Sequence, residues 1–89
     1  MNPKKIGELQ TAVVGNEVLV HDTLHEKVHV LNAIAARILD LCDGATAPAT
    51  IAGRLGREYD GTDPSVVERD VDAILLQFES LRLLEPSSP

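Results

Sequence analysis

Three short antiparallel strands followed by three helices, an α+β domain, is the fold this sequence predicts. Short β-branched runs broken by polar turns fill the chain up to Leu31. From Asn32 onward apolar residues recur at three- and four-residue steps, the period of a helix with one buried face. Breaks at Asp43-Gly44 and at Asp60-Gly61-Thr62-Asp63-Pro64 divide that second half into three pieces.

The first expected strand is Leu9-Gln10-Thr11-Ala12-Val13-Val14, closed by the turn-forming pair Gly15-Asn16. Glu17-Val18-Leu19-Val20-His21 and Lys27-Val28-His29-Val30-Leu31 read as a hairpin around the polar patch Asp22 to Glu26. Asn32 is a good N-cap, because its side-chain oxygen can accept from a free N–H of the first turn. The helix behind it has an apolar face of Ile34, Ile38 and Leu41 with Ala35, Leu39 and Cys42, and Gly44 can take the left-handed conformation that ends it. A second helix is expected from about Pro48 to Tyr59, capped by Thr46, with Ile51, Leu55 and Tyr59 on one side. Gly53 and Gly56 weaken it by roughly 1 kcal/mol each relative to Ala unless packing uses the close approach they allow. The third is a helix-sized stretch from Ser65 to Leu84 whose stripe is Val67, Val71, Ile74, Phe78 and Leu81. Two start signals compete there: Asp63 as cap with Pro64 at the first position, or the capping box Ser65-x-x-Glu68. Residues 1–85 are expected to form a single domain and 86–89 a disordered tail.

Composition excludes several classes of function. Eighty-nine residues allow one modest core but no deep, walled catalytic cavity beside it, so the chain reads as non-enzymatic. Fourteen acidic against eight basic residues give a net charge of −6, which disfavours nucleic acid or an anionic membrane as partner. The single cysteine, Cys42, precludes an internal disulfide and a Cys-x-x-Cys pair, and a reducing cytoplasm is the expected compartment. No export signal or membrane span is visible. His21, His25 and His29 recur every fourth residue, but zinc needs further ligands, so no metal and no cofactor is expected.

The order of elements is winged helix-turn-helix-like, a topology often met in DNA-binding proteins. A major-groove reader projects Arg, Lys, Asn or Gln from its last helix. Here that helix carries Glu68, Asp70, Asp72 and Glu79 against Arg69 and Arg82, and it repels phosphate. A DNA-binding regulator therefore stands only as an alternative, as does a dimerisation module that pairs two copies through an edge strand, giving a homodimer.

The run Val28-His29-Val30-Leu31-Asn32, then Ala36-Arg37-Ile38-Leu39-Asp40-Leu41-Cys42-Asp43-Gly44, then Thr50-Ile51-Ala52 with Leu55 and Tyr59, then Val67-Glu68-Arg69-Asp70-Val71 and Leu81-Arg82-Leu83-Leu84-Glu85 resembles the PqqD family. The resemblance spans about residues 17 to 85 and rests on the order and spacing of these pieces. It implies a small domain that captures the leader of a ribosomally synthesised, post-translationally modified precursor peptide and delivers it to a modifying enzyme or a leader protease. It further implies that the leader adds as a strand beside Lys27, Val28, His29, Val30 and Leu31. The leader's apolar side chains would then enter a cleft walled by Val67, Val71, Ile74, Leu75 and Phe78, and Asp70 stands where the family has an acidic residue facing the site. Scarce aromatics and a short lead-in before the strands set the chain apart from the quinone-pathway members, so lasso peptide biosynthesis is the preferred expectation. Taken singly, Val71, Ile74 and Phe78 also fit a plain core, and Asp70 and Asp72, two apart on a helix, cannot both face one cleft.

Overall fold

The computed structural model describes residues 2–59 and 63–85. Its elements are β1 (Leu9–Val14), β2 (Glu17–Asp22), β3 (Lys27–Asn32), α1 (Ala33–Leu41), α2 (Pro48–Glu58) and α3 (Pro64–Ser80). The three strands form an antiparallel sheet in the order β1-β2-β3, so β3 has a neighbour on one side only. This is the winged helix-turn-helix-like α+β order expected from the sequence. Asp60, Gly61 and Thr62 of the anticipated turn, and the tail over 86–89, lie outside the described residues.

Period-two alternation assigns the sheet faces. Val18, Val20 and Asp22 of β2 pair with Leu31, His29 and Lys27 of β3 and share the inner face. Val20 and Leu31 are buried there in one core with Ile38, Leu39, Ile51, Leu55, Val71, Phe78 and Leu83. Val28 and Val30 point the other way and remain 61% and 56% exposed. Only Leu9 of β1 packs on the core, and Val13 and Val14 are exposed, so the helices cover β2 and β3 but not β1.

Asn32 ends the strand and starts the helix as anticipated, its Oδ1 accepting from Ala35 N–H at 2.8 Å. Of the two start signals for α3, Asp63 with Pro64 prevails. Its Oδ1 accepts from the Ser65 N–H at 2.9 Å and from the Ser65 hydroxyl at 2.7 Å, which takes Ser65 out of the alternative capping box. Thr46 does not cap α2. The cap position is Ala47, without a side-chain bond, and the buried Thr46 hydroxyl instead donates to Asp43 Oδ2 at 3.1 Å. Gly53 and Gly56 face open space, so no close packing exploits them.

The end of the third helix departs from expectation. Continuous helix to Leu84 would leave Leu83 and Leu84 on different faces, whereas both are buried. The chain leaves the helix at Ser80, reverses at Arg82 with φ +60, and brings Leu84 alongside Lys5. Ile6 N–H donates to Leu83 O and Glu85 N–H to Lys4 O. Lys5 N–H donates to Cys42 O, and Gly44 N–H to Pro3 O. The lead-in is thus a strap that ties the end of α1 to the end of α3, with Ile6 buried beneath it. Gly44, at φ +82, lies so close to the Lys4 side chain that an added Cβ would sit 3.1 Å from it.

Asp22, placed by sequence in a polar turn, is fully buried. Its Oδ1 accepts from the His25 backbone N–H at 2.9 Å and its Oδ2 lies 2.6 Å from His25 Nδ1. Burial pushes the carboxyl up, but the backbone and ring bonds from His25, the charge of that ring and the Leu24 N–H outweigh it and hold Asp22 below the usual carboxylate range. The sign follows: a depressed carboxyl contributes stability that is complete above its unfolded value and is lost as pH falls through its folded one. Asp22→Asn is expected to flatten the acid limb of a stability-versus-pH curve measured by urea melts. In the same assay Asn32→Ala should lower stability by roughly 0.5–2 kcal/mol, and Gly53→Ala should raise it by about 1 kcal/mol.

Candidate functional site

β3 is one of the two edges of the sheet, and among the described residues no strand pairs with the outer side of Lys27, Val28, His29 and Val30, while Leu31 anchors it in the core. An unpaired edge offers alternating N–H and C=O groups to any extended chain. Along its inner face, His29 is half-buried and its Nε2 is inaccessible to solvent, without a hydrogen-bond partner among the described residues.

A groove of about 80 Å³ lies where α1, α2 and α3 meet. Its lining includes three residues anticipated from sequence, Val67, Asp70 and Val71, and four that were not assigned to a site, Ile34, Ile38, Leu55 and Tyr59. Ile34 had been expected in the apolar face of α1, yet it is 44% exposed at the groove mouth with Tyr59, 39% exposed. Ile34 and Ile38 sit four apart behind the strand-ending Asn32 and so share one helix face, Ile38 at its buried end and Ile34 at its open one. Asp70 is the one acid of the Asp70/Asp72 pair that lines the groove, as the helical offset requires. Of the other anticipated wall residues, Phe78 is fully buried in the core, while Ile74 and Leu75 are half-buried against it and lie outside the groove lining.

Tyr59 follows directly on Glu58, the last residue of α2, and Glu58 is gripped from α1. Arg37 Nε donates to Glu58 Oε1 at 3.0 Å and Nη2 donates to Oε2 at 3.0 Å, a fork that fixes both carboxylate oxygens. This bond lowers the Glu58 carboxyl. The ion pair thus bridges the two walls carrying Ile34 and Tyr59 at the surface.

At the far end of α3 a wider hollow of about 590 Å³ is lined by Ile6, Leu24, His25, Glu79, Arg82, Leu84 and Glu85. It borders the β2–β3 turn from which β3 departs. Asp70 in the first depression and Glu79 in the second are separated by about 14 Å along the helix axis at the rise of an α-helix, a span covered by about four residues of extended chain. Glu68, Asp70, Asp72 and Glu79 are all exposed on α3.

His21 and His29 do not meet, because the register puts His21 opposite Val28 on the outer face and His29 opposite Val20 on the inner one. Among the described residues no three His, Cys, Asp or Glu side chains are grouped to hold a metal ion. No helix among them is long and apolar enough to cross a membrane.

An edge strand leading into a helix that walls a mostly apolar groove, on a winged helical frame, is the arrangement of a peptide-accepting domain. Residues 8–84 match the family of Coenzyme PQQ synthesis protein D (PqqD), and the chain belongs to that family. No curated protein matches it. Among solved structures it is similar to TbiB1 in complex with the TbiA(beta) leader peptide, with a TM-score of 0.78 and 26% identity over 97% of this chain and 99% of that one. It is also similar to the PqqD truncation of Methylobacterium extorquens PqqCD, a stand-alone recognition element for ribosomally synthesised and post-translationally modified peptides. That match has a TM-score of 0.73 and 25% identity over 94% and 88% of the two chains. Lasso peptide synthetase B1 complexed with the leader peptide, at 22% identity and a TM-score of 0.78, shares the fold.

Cys42 closes α1 and is buried, its Sγ donating to Ile38 O at 3.2 Å. Burial raises the thiol to about 11, with the Lys5 charge pulling down and Asp43 pushing up. The folded protein is therefore expected to leave Ellman's reagent unreacted at mildly alkaline pH and to react fully in strong denaturant. Rapid labelling of the native state would contradict this account of the thiol.

Proposed function

We propose that this chain is a non-enzymatic recognition element that binds the leader of a ribosomally synthesised precursor peptide by strand addition to β3 and delivers it to a leader protease or another modifying enzyme. The observation that carries the reading is an unpaired β3 edge that runs straight into α1, whose Ile34 and Ile38 line the groove together with Val67, Asp70 and Val71 of α3. Family membership and the likeness to two leader-peptide complexes and a stand-alone recognition element support it. The pathway we favour is lasso peptide biosynthesis, the expectation from the sequence, in keeping with the fold shared with lasso peptide synthetase B1.

Backbone hydrogen bonds along β3 supply affinity with little regard for sequence, and the depressions flanking α3 supply selection. Each apolar leader side chain buried contributes about 1.5–3 kcal/mol, so two or three offset the ordering of a flexible peptide. Ile34 and Tyr59, half-open at the groove mouth, are the side chains such a residue meets first. Exposed acids on α3 favour a leader carrying Lys or Arg and raise its association rate more than its residence time. The same charge opposes duplex DNA.

The test is a fluorescence titration of the chain with labelled leaders, TbiA(beta) among them and the leaders of short precursors encoded beside its own gene, with a DNA duplex in parallel. Saturable leader binding and no response to DNA are expected. A salt-steep response to the duplex alone, or a leader-independent dimer that resists all peptides, would overturn the reading.

Variants should be chosen at exposed groove positions, since Val71 is only 1% exposed and an acid there would break the core before it probed a cleft. Ile34→Asp and Tyr59→Ala are expected to keep native circular dichroism and to weaken leader binding on the order of tenfold or more, one lost apolar contact each. Folded variants with wild-type affinity would remove the groove from the site.

A further inference from the structure

His29 stands apart from the other residues of β3 because its chemistry is unsatisfied. It occupies the inner face opposite the fully buried Val20. Its Nε2 is out of reach of water and has no hydrogen-bond partner among the described residues. The buried acid on the same face of the hairpin, Asp22, bonds His25 through both its oxygens and does not reach His29. A buried polar atom left unpaired is costly, and native structures carry few of them without a reason. An apolar side chain, like Leu31 two residues on, would suit an inner strand position better if packing were its whole purpose.

We propose, resting on the peptide-binding reading above, that His29 is a specificity-determining residue whose Nε2 hydrogen-bonds a hydroxyl or carboxamide side chain of the bound leader. A strand added at the β3 edge would put one residue directly across from His29 on the inner face. Its Cβ would lie about 5 Å from that of His29. This is within reach of Ser, Thr, Asn or Gln. Hydroxyl and carboxamide groups both donate and accept, so either imidazole tautomer finds a match. The residue as a whole is half-buried, so a rotamer adjustment of the ring presents Nε2 to the open side. Discrimination would then come from the bond gained: a leader with an apolar residue at the same place would still bury surface but would leave Nε2 as unpaired as it is in the free protein.

The experiment compares wild type, His29→Leu and His29→Gln in two measurements, the thermal midpoint of the free protein and its affinity for the tightest-binding leader of the panel. His29→Leu should melt at or above the wild-type midpoint, because it removes an unsatisfied group, yet bind that leader roughly 5- to 100-fold more weakly. His29→Gln should recover part of the loss. Alanine scanning of the peptide should find one Ser, Thr, Asn or Gln whose replacement weakens binding to wild type but is silent with His29→Leu, the signature of a coupled pair. The Nε2 resonance of ¹⁵N-labelled wild type should shift on saturation with leader. Equal affinity of wild type and His29→Leu, a loss of affinity that tracks a fall in melting temperature, or an alanine scan without a coupled residue would each overturn this role while leaving leader binding in place. No leader binding by wild type would overturn the parent reading and this one together.

Discussion

The proposed capture of a leader depends on a strand that is held firmly on one side and left bare on the other. β3 is paired along its length with β2 and anchored by Leu31 in the core. At Asn32 a single side-chain bond to Ala35 N–H converts the chain from period two to helix. Were the strand to run on past Asn32, α1 would start later and Ile34 would leave the groove mouth. Were α1 to start earlier, β3 would lose edge. The cap thus fixes both the length of the bare edge and the position of the first groove wall.

The remaining scaffold keeps the wall and the edge in register from both ends. At the groove end, the Arg37–Glu58 fork joins α1 to the close of α2 and bridges the walls carrying Ile34 and Tyr59. At the other end, the strap through Lys4, Lys5 and Ile6 ties Leu83 and Leu84 to the end of α1, so α3 is held beyond its last helical residue. Asp22 does the same for the β2–β3 turn. Its carboxylate lies inside the hairpin and closes the turn by bonding His25 twice. None of these devices touches the β3 edge, which is why it stays available.

Where local periodicity decides structure, the sequence was readable; where a distant partner decides it, it was not. All three strands, the Asn32 cap and the buried stripe Val67, Val71 and Phe78 follow from spacing and turn chemistry alone, while Asp63 and Ser65 compete for the start of α3 until the structure decides for Asp63. Thr46 looked like a cap because local rules favour Thr there, but Asp43, already folded back onto Ala45 N–H, takes its hydroxyl. The break at Arg82 has no Gly or Pro to announce it; Leu83 and Leu84 leave the helix because Lys5 and Ile6 supply strand-like partners from the opposite end of the chain. Asp22 read as surface because its compensating donors, the ring and backbone of His25, become visible only once the turn is closed. Four of the seven groove residues went unassigned for the same reason: Ile34 and Ile38 of α1 meet Leu55 of α2 and Tyr59 just past its end, an approach of two helices that no single-segment pattern encodes.

A bare edge carrying Val28 and Val30 is also an invitation to aggregate, and the way that hazard is contained bears on what the edge is for. Proteins that have no use for a free strand shorten it, bulge it, place proline in it or cover it. None of these appears in β3, which is six residues long, matched residue for residue with β2 and free of proline. What restrains it instead is charge at a distance: a net charge of −6 and the exposed acids of α3 repel a second copy of the same chain while leaving a neutral or basic guest unopposed. Long-range repulsion discriminates between partners where blocking the edge would exclude them all. On the proposed reading, Lys27 and this repulsion guard the edge against its own kind while leaving it open to a leader.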